Sequence, residues 1–344
     1  WCGVKRLPPQ LSALTALKVL DLEENRELGE GQQAGFAPLA AVRQLTALLL
    51  KHCELRRLPR QLTALSSSLQ VLDLADNHPD LGAAGSMRPL SSLTALTTLD
   101  MKNCGLPCIP PQLSAMGSLQ QLILNSNNMA QTRKKAWEPL RQLTCLTFLD
   151  LFECELELLP PQLSCLTALA ELNLSGNWRL GPFFDRRGPA AARGQPARAE
   201  TSKWQPLLSL GTSLTSLDLS GCSIAALPAG FTSMSALVNL DLSRNEELGF
   251  DADTALQPLS GLVALEVLAL NSVELARIPP QLKVLPALAE LQLWGNTALG
   301  ELGAALGQQL MELPAVKYLD LNGGIHLDPS TEEMLKDKVF IYEY

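Results

Sequence analysis

The chain has 344 residues, of which 47% are hydrophobic but only 5% aromatic, and its 35 acidic side chains outnumber 27 basic ones for a net charge of -8. That balance argues against nucleic acid as a partner, whose phosphates call for a basic face, and favours a protein partner with a basic patch. No run approaches the roughly 20 apolar residues of a membrane-spanning helix, and no signal peptide is visible from Trp1 onward.

Such a length would suggest two domains, but internal repetition overrides the estimate, since a repeat array grows by stacking. The stretch from Leu146 to Leu163 contains a Leu-x-x-Leu-x-Leu strand, then Cys154, then Leu-x-x-Leu-Pro-x-x-Leu, and versions of it recur along the whole chain. In order, the markers after each strand are Cys2, Asn25, Cys53, Asn77, Cys104, Asn127, Cys154, Asn177, Cys222, Asn245, Val273, Asn296 and Gly324. Spacing alternates between 23–24 and 27–28 residues, with one interval of 45 between Asn177 and Cys222. The surplus in that interval falls within 182–203 and is read as an insertion.

Twelve strands follow, from Leu17–Leu22 and Leu45–Leu50 through Leu288–Leu293 to Val316–Leu321. Short units carry a Leu-Pro step that interrupts helices, so their backs are expected to be extended or 3-10. Long units end in Pro-Leu-x-x-Leu over Phe36–Leu45, Met87–Leu96, Trp137–Leu146, Trp204–Leu214 and Leu256–Leu265, which predicts short helical segments. Phe36, Trp137 and Trp204 recur at one place in these units and are read as core. At the C-terminus, Asp328 followed by Pro-Ser-Thr-Glu-Glu predicts a helix near Ser330–Lys338, with a strand or tail over Val339–Tyr344.

This pattern resembles the leucine-rich repeat family over nearly the whole chain. The resemblance implies an α/β solenoid, a curved horseshoe with a concave parallel sheet of about twelve strands and a mixed helical, 3-10 and extended convex side. Residues 1–324 are expected to form the solenoid and 325–344 a C-terminal cap helix and tail. The short units, such as Cys53 to Leu62, are similar to the 23-residue class common in intracellular scaffolds. The alternation of Asn and Cys is similar to ribonuclease inhibitors, but the Cys units here are too short for a full helix, so that family's ligand is not carried over. The first repeat starts midway, from which residues upstream of Trp1 are expected.

Asn in the turn can donate and accept at once, satisfying backbone groups where the chain leaves the sheet. Cys replaces it as a small buried residue with a weak S–H donor. Looser turns are expected at Val273 and Gly324, which lack such a group. The Cys column recurs every second repeat, about 10 Å apart, too far for disulfides or a shared zinc ion. Cys145 and Cys165 are read as half-buried and Cys108 as exposed. Free thiols throughout point to a reducing, cytoplasmic setting. His52, His78 and His326 sit in no metal or triad spacing, and no phosphate loop or nucleophile motif is present. The chain is therefore read as a non-enzyme, with no catalytic or metal site and no cofactor. Asn173-Leu-Ser175 matches a glycosylation sequon but lies in a strand, and is treated as chance.

Alternate strand residues face away from the core. The outward column reads Asp21, Leu49, Asp73, Asp100, Ile123, Asp150, Asn173, Asp218, Asp241, Ala269, Gln292 and Asp320. The Asp residues are either solvated or bonded to adjacent turns, or they form an acidic track for a basic partner. Phe148 and Phe152 flank Asp150 on the same face, and Trp294 and Tyr318 are placed there too as candidate interface anchors. The insertion carries Arg186, Arg187, Arg193 and Arg198, a candidate second contact. The expected function is a protein-binding scaffold working through the concave face. The alternatives are the sensor or regulatory region of a larger signalling protein, such as a kinase, ubiquitin-ligase receptor or immune receptor, and a structural subunit of a large complex.

Overall fold

One leucine at the centre of each strand sets the architecture, because a strand turns successive side chains to opposite faces. The computed structural model describes residues 3–30, 33–130, 134–181, 200–325, 327–336 and 340–341. Cys2, His326 and the insertion arginines Arg186, Arg187, Arg193 and Arg198 lie outside the described residues. Contacts group the chain into two units, Trp1–Glu155 with Pro160–Leu169, and Leu156–Leu159 with Ala170–Tyr344.

In the first unit, β1 (Val19–Asp21), β2 (Ala47–Leu49), β3 (Val71–Asp73), β4 (Thr98–Asp100), β5 (Gln121–Ile123) and β6 (Phe148–Asp150) pair in chain order, all parallel. In the second, β7 (Glu171–Asn173), β8 (Ser216–Asp218), β9 (Asn239–Asp241), β10 (Val267–Ala269), β11 (Glu290–Gln292), β12 (Tyr318–Asp320) and β13 (Phe340–Ile341) do the same. All twelve predicted strands are present, shortened to three residues. β13 adds a thirteenth in the segment read as strand or tail. Backbone pairing nevertheless runs past the strand ends, since Thr46 N–H donates to Lys18 O at 2.7 Å and Leu22 N–H to Leu49 O at 2.9 Å.

Register places leucine beside leucine. Leu48, Leu72, Leu99, Leu122 and Leu149 stack in the first unit, and Leu172, Leu217, Leu240, Leu268, Leu291 and Leu319 in the second. All of these are buried. Burying each side chain contributes about 1.5–3 kcal/mol, and no repeat could achieve it without a neighbour.

The short units have 3-10 backs, at Pro9–Ala13, Arg60–Leu65, Pro111–Ala115, Pro161–Cys165, Ala229–Ser233 and Pro280–Val284. Proline suits the first helical position, where its fixed φ fits and its missing N–H would have had no partner. The long units are helical as predicted, but mostly 3-10, at Gln33–Ala41, Arg88–Ser92 and Lys134–Gln142. The proline of each Pro-Leu-x-x-Leu lies inside these turns and withholds a backbone donor from them. A longer α-helix appears at Glu200–Leu208. Phe36, Trp137 and Trp204 are buried, and Trp204 meets Phe231 edge-on at 6.3 Å between ring centres. A helix not read from the sequence, Ala304–Met311, fills the back of the repeat before β12. Asp328 caps the C-terminal helix, Pro329–Leu335, by accepting from Ser330 N–H and Thr331 N–H. That helix buries Thr331 and Leu335 and packs on Ala304–Met311.

Candidate protein-interaction surface

The outward column is built from the backbone. After each strand, one N–H donates to the next strand, as Leu74 does to Asp100 O at 2.8 Å, and the N–H two residues later does so again, as Asp76 does to Lys102 O at 2.8 Å. The amide between them is taken by the aspartate that ends the strand. Asp21 accepts from Glu23 N–H at 3.0 Å, Asp73 from Ala75 and Asp100 from Lys102 at 2.8 Å, and Asp150 from Phe152 at 2.9 Å. In the second unit Asp218 and Asp241 accept from Ser220 and Ser243 at 2.8 Å, and Asp320 from Asn322 at 3.0 Å. Asn173 does the same for Ser175 N–H at 2.9 Å. Each of these side chains thus closes a local turn through one oxygen.

On β10 and β11, which lack the aspartate, a neighbouring side chain stands in. Beyond Ala269, Asn271 N–H donates to Ser243 Oγ at 3.1 Å, and beyond Gln292, Trp294 N–H donates to Asn271 Oδ1 at 2.8 Å.

In the first unit the acids crowd one another. Burial first, and the Asp73 carboxylate after it, push the Asp100 carboxyl up to about 6 against the relief of the Lys102 N–H bond. Burial likewise raises Asp73 and Glu23, with Asp21 adding to the rise in both. Asp76 sits among them, 3.9 Å from Lys51 Nζ and 3.7 Å from His52 Nε2, and accepts from Asn103 Nδ2 at 3.0 Å. In the second unit burial raises Asp241.

Phe148 and Phe152 are half-buried. Trp294 and Tyr318 are more open, at 46% and 42% exposure.

The turn ladder lies beneath this face. Asn127 Oδ1 accepts from Cys104 N–H and Leu106 N–H at 3.0 and 2.9 Å, while its Nδ2 donates to Met101 O and Leu124 O. Asn77, Asn245 and Asn296 repeat this pattern, and Asn25 and Asn177 keep part of it. The thiols of Cys53, Cys104, Cys154 and Cys222 donate to Leu22, Leu74, Leu124 and Leu174 carbonyls at 3.0–3.2 Å. Burial holds all four protonated, pushed up to about 12.

Three expectations are corrected. Cys145 is exposed rather than half-buried, and Cys108 is half-buried rather than exposed, its thiol raised by burial. At Val273 the turn is not loosened. Val273 is fully buried and its N–H still donates to Asn296 Oδ1 at 3.2 Å, so only the thiol bond is lost.

Sequence reasoning also missed an exposed edge in the second unit, where Leu158, Trp178 and Phe250 are 67%, 51% and 80% exposed. Arg179 lies over Trp178 at 4.7 Å and bonds Glu157 at 3.0 Å. These positions follow the turn markers, where no period-two pattern signals exposure. Among the described residues no group of three His, Cys, Asp or Glu could hold a metal, and no helix is long and apolar enough to cross a membrane.

Stacked parallel strands, 3-10 backs and a buried asparagine ladder make up a leucine-rich repeat fold. Residues 213–234 match the Leucine Rich Repeat family. A leucine-rich repeat protein of Leptospira interrogans superposes with a TM-score of 0.69 at 22% identity, covering 98% of this chain and 75% of that one. An internalin of Listeria monocytogenes gives 0.63 at 18% identity, covering 98% and 89%. The human volume-regulated anion channel subunit LRRC8E is 29% identical over 126 residues, which is 37% of this chain and 15% of that subunit.

Proposed function

We propose that the chain is a non-catalytic protein-binding scaffold whose outward strand face receives a partner carrying a basic patch. The observation that carries this reading is the division of labour along each strand. Leucine is sealed inside, while the residues beside it, including Trp294 and Tyr318, stand open on the outward side of their strands. A regular sheet face of this kind offers many side chains in fixed register, which suits recognition of a folded surface. Excess carboxylates there favour a basic partner and a salt-dependent association rate. Free thiols favour a reducing compartment.

The test is affinity capture with the full chain as bait, comparing wild type with Phe148→Ala/Phe152→Ala and Trp294→Ala/Tyr318→Ala. A partner lost by either face variant, but kept when Met311→Ala alters the back, supports the reading. Equal capture by all of these baits refutes it. A second reading is a regulatory region within a longer polypeptide, favoured by the match to 15% of the LRRC8E subunit. Sequencing the complete open reading frame distinguishes the two.

A further inference from the structure

One place on the outward face of the second unit departs from the aspartate rule. Across β10, β11 and β12 the side chains bond to one another. Asn271 Oδ1 accepts from Trp294 N–H, Asn271 Nδ2 donates to Gln292 Oε1 at 3.2 Å, and Gln292 Nε2 donates to Glu290 Oε1 at 2.7 Å. On the next strand, both Asn322 N–H and Asn322 Nδ2 donate to Asp320 Oδ1, at 3.0 and 2.9 Å. Each amide nitrogen of the group gives one of its two N–H bonds to an acceptor inside it. Glu290 Oε2 and Asp320 Oδ2 are left, and neither residue forms a salt bridge among the described residues. What this patch offers a ligand is weighted towards acceptors and negative charge.

Aromatic surface borders the acceptors. Register pairs Glu290 with Tyr318 and Gln292 with Asp320, so these four side chains fall on adjacent strands about 4.8 Å apart. Trp294 follows two residues past Gln292. Its ring is held against Gly323 of the next repeat, where a Cβ would stand 2.8 Å from Trp294 Cε2 and Nε1. Gly323 also has φ +73°, a conformation glycine adopts freely. The indole is thus backed by main chain on one side and 46% exposed on the other.

We propose that Trp294, Tyr318, Glu290 and Asp320 form a subsite for an arginine side chain of the protein partner. This rests on the reading of the outward strand face as the binding surface. A guanidinium matches the patch in three ways. It carries five N–H donors and no acceptor, so it can donate to both carboxylates and asks for no donor in return. Its plane stacks on an aromatic face, which an ammonium does less well. Its charge suits an outward face that also carries Asp218 and Asp241. A sugar, being neutral, leaves the charge of Glu290 and Asp320 uncompensated and matches the patch less well.

The experiment uses the full chain labelled with 15N, whose five tryptophans give separate indole signals, with Trp294→Phe identifying one of them. The probe is the peptide acetyl-Gly-Arg-Gly-Arg-Gly-amide, compared with its lysine and citrulline counterparts and with maltohexaose. The arginine peptide is expected to shift the Trp294 indole signal, the lysine peptide to bind less tightly, and citrulline and maltohexaose to leave the signal in place. Trp294→Ala and Glu290→Gln should each weaken arginine-peptide binding by about fivefold, with unchanged far-UV circular dichroism. Equal shifts from citrulline or maltohexaose, or no shift from the arginine peptide, overturn the assignment. A captured partner that depends on Phe148 and Phe152 but not on Trp294 overturns the arginine subsite while leaving the scaffold reading intact.

Discussion

Replacing Asn127 with alanine tests whether the turn ladder, rather than leucine burial alone, holds the repeats in register. Asn127 is 1% exposed. Alanine would strip the acceptor from two buried amides, Cys104 N–H and Leu106 N–H. A buried donor left unpaired costs about 1–3 kcal/mol. The carbonyls lose less, since Leu124 O also accepts from the Cys154 thiol at 3.2 Å. The expected loss is about 3–5 kcal/mol, lowered if water enters the vacated polar site. The chain supplies its own control, because Val273 occupies a Cys position and is fully buried. Cys104→Val should therefore cost under about 1 kcal/mol, the worth of one weak S–H donor. Urea unfolding followed by far-UV circular dichroism measures both, with the slope checked because repeats can unfold in separate groups. The reasoning fails if Asn127→Ala costs less than about 1 kcal/mol, or if Cys104→Val costs as much as Asn127→Ala.

Three further outcomes follow from the geometry. Asp100 has its pKa raised to about 6 by burial and then by Asp73, against about 4 when unfolded, so the native state binds the proton more tightly. Its contribution to stability is greatest below about pH 4 and is lost as pH rises through about 6. Asp100→Asn keeps an oxygen for Lys102 N–H, as Asn173 does for Ser175. It should stabilise the chain by about 1 kcal/mol at neutral pH after solvent screening and by nothing near pH 3.5, read from urea midpoints. Native labelling with iodoacetamide should modify exposed Cys145 first and spare Cys53, Cys104, Cys154 and Cys222, whose thiols stay protonated. Mass spectrometry of the labelled peptides checks this. Leu122→Ala, at a fully buried strand centre, should cost about 3–5 kcal/mol, seen as a lower urea midpoint. A smaller loss would mean that adjacent repeats collapse into the cavity.

The strands were legible because leucine at fixed offsets has one physical use, and twelve copies leave no doubt about register. The 3-10 backs were legible from Leu-Pro for the same reason: proline removes a donor and fixes φ. Helix Ala304–Met311 was not, because Leu313-Pro-Ala-Val316 replaces the Pro-Leu-x-x-Leu signature that marked the other long units. The Leu-Gly pairs after asparagine also escaped notice. Gly29, Gly181 and Gly249 each stand where a Cβ would meet the backbone of the following short unit, so a packing constraint was written there as a plain dipeptide. The outward column was identified by position, but its chemistry was not. Period-two alternation says that Asp73 faces out, and only the bond from Ala75 N–H says that one of its oxygens is already engaged.

That engagement changes how the acidic face should be weighed. A column of freely solvated carboxylates would act as a diffuse track, and any single member could be neutralised with little effect on structure. These aspartates instead close the turns that follow their strands, so Leu-Asp-Leu is a folding requirement before it is a recognition signal. Discrimination between partners then falls to the positions that the turn does not claim, and most of all to the strands where the requirement is met another way. β10 and β11 are such strands, since Ser243 and Asn271 take over the capping. Freed from it, Ala269, Gln292 and Trp294 can differ from the repeat consensus without breaking the fold. Substituting Asp at Gln292 tests this separation. Trp294 N–H should transfer from Asn271 to the new carboxylate with stability changed by less than about 1 kcal/mol, while the bonds joining Asn271, Gln292 and Glu290 are lost. Unfolding on that substitution, or an unmoved Trp294 amide signal, would show that structure and recognition are not separable at this strand.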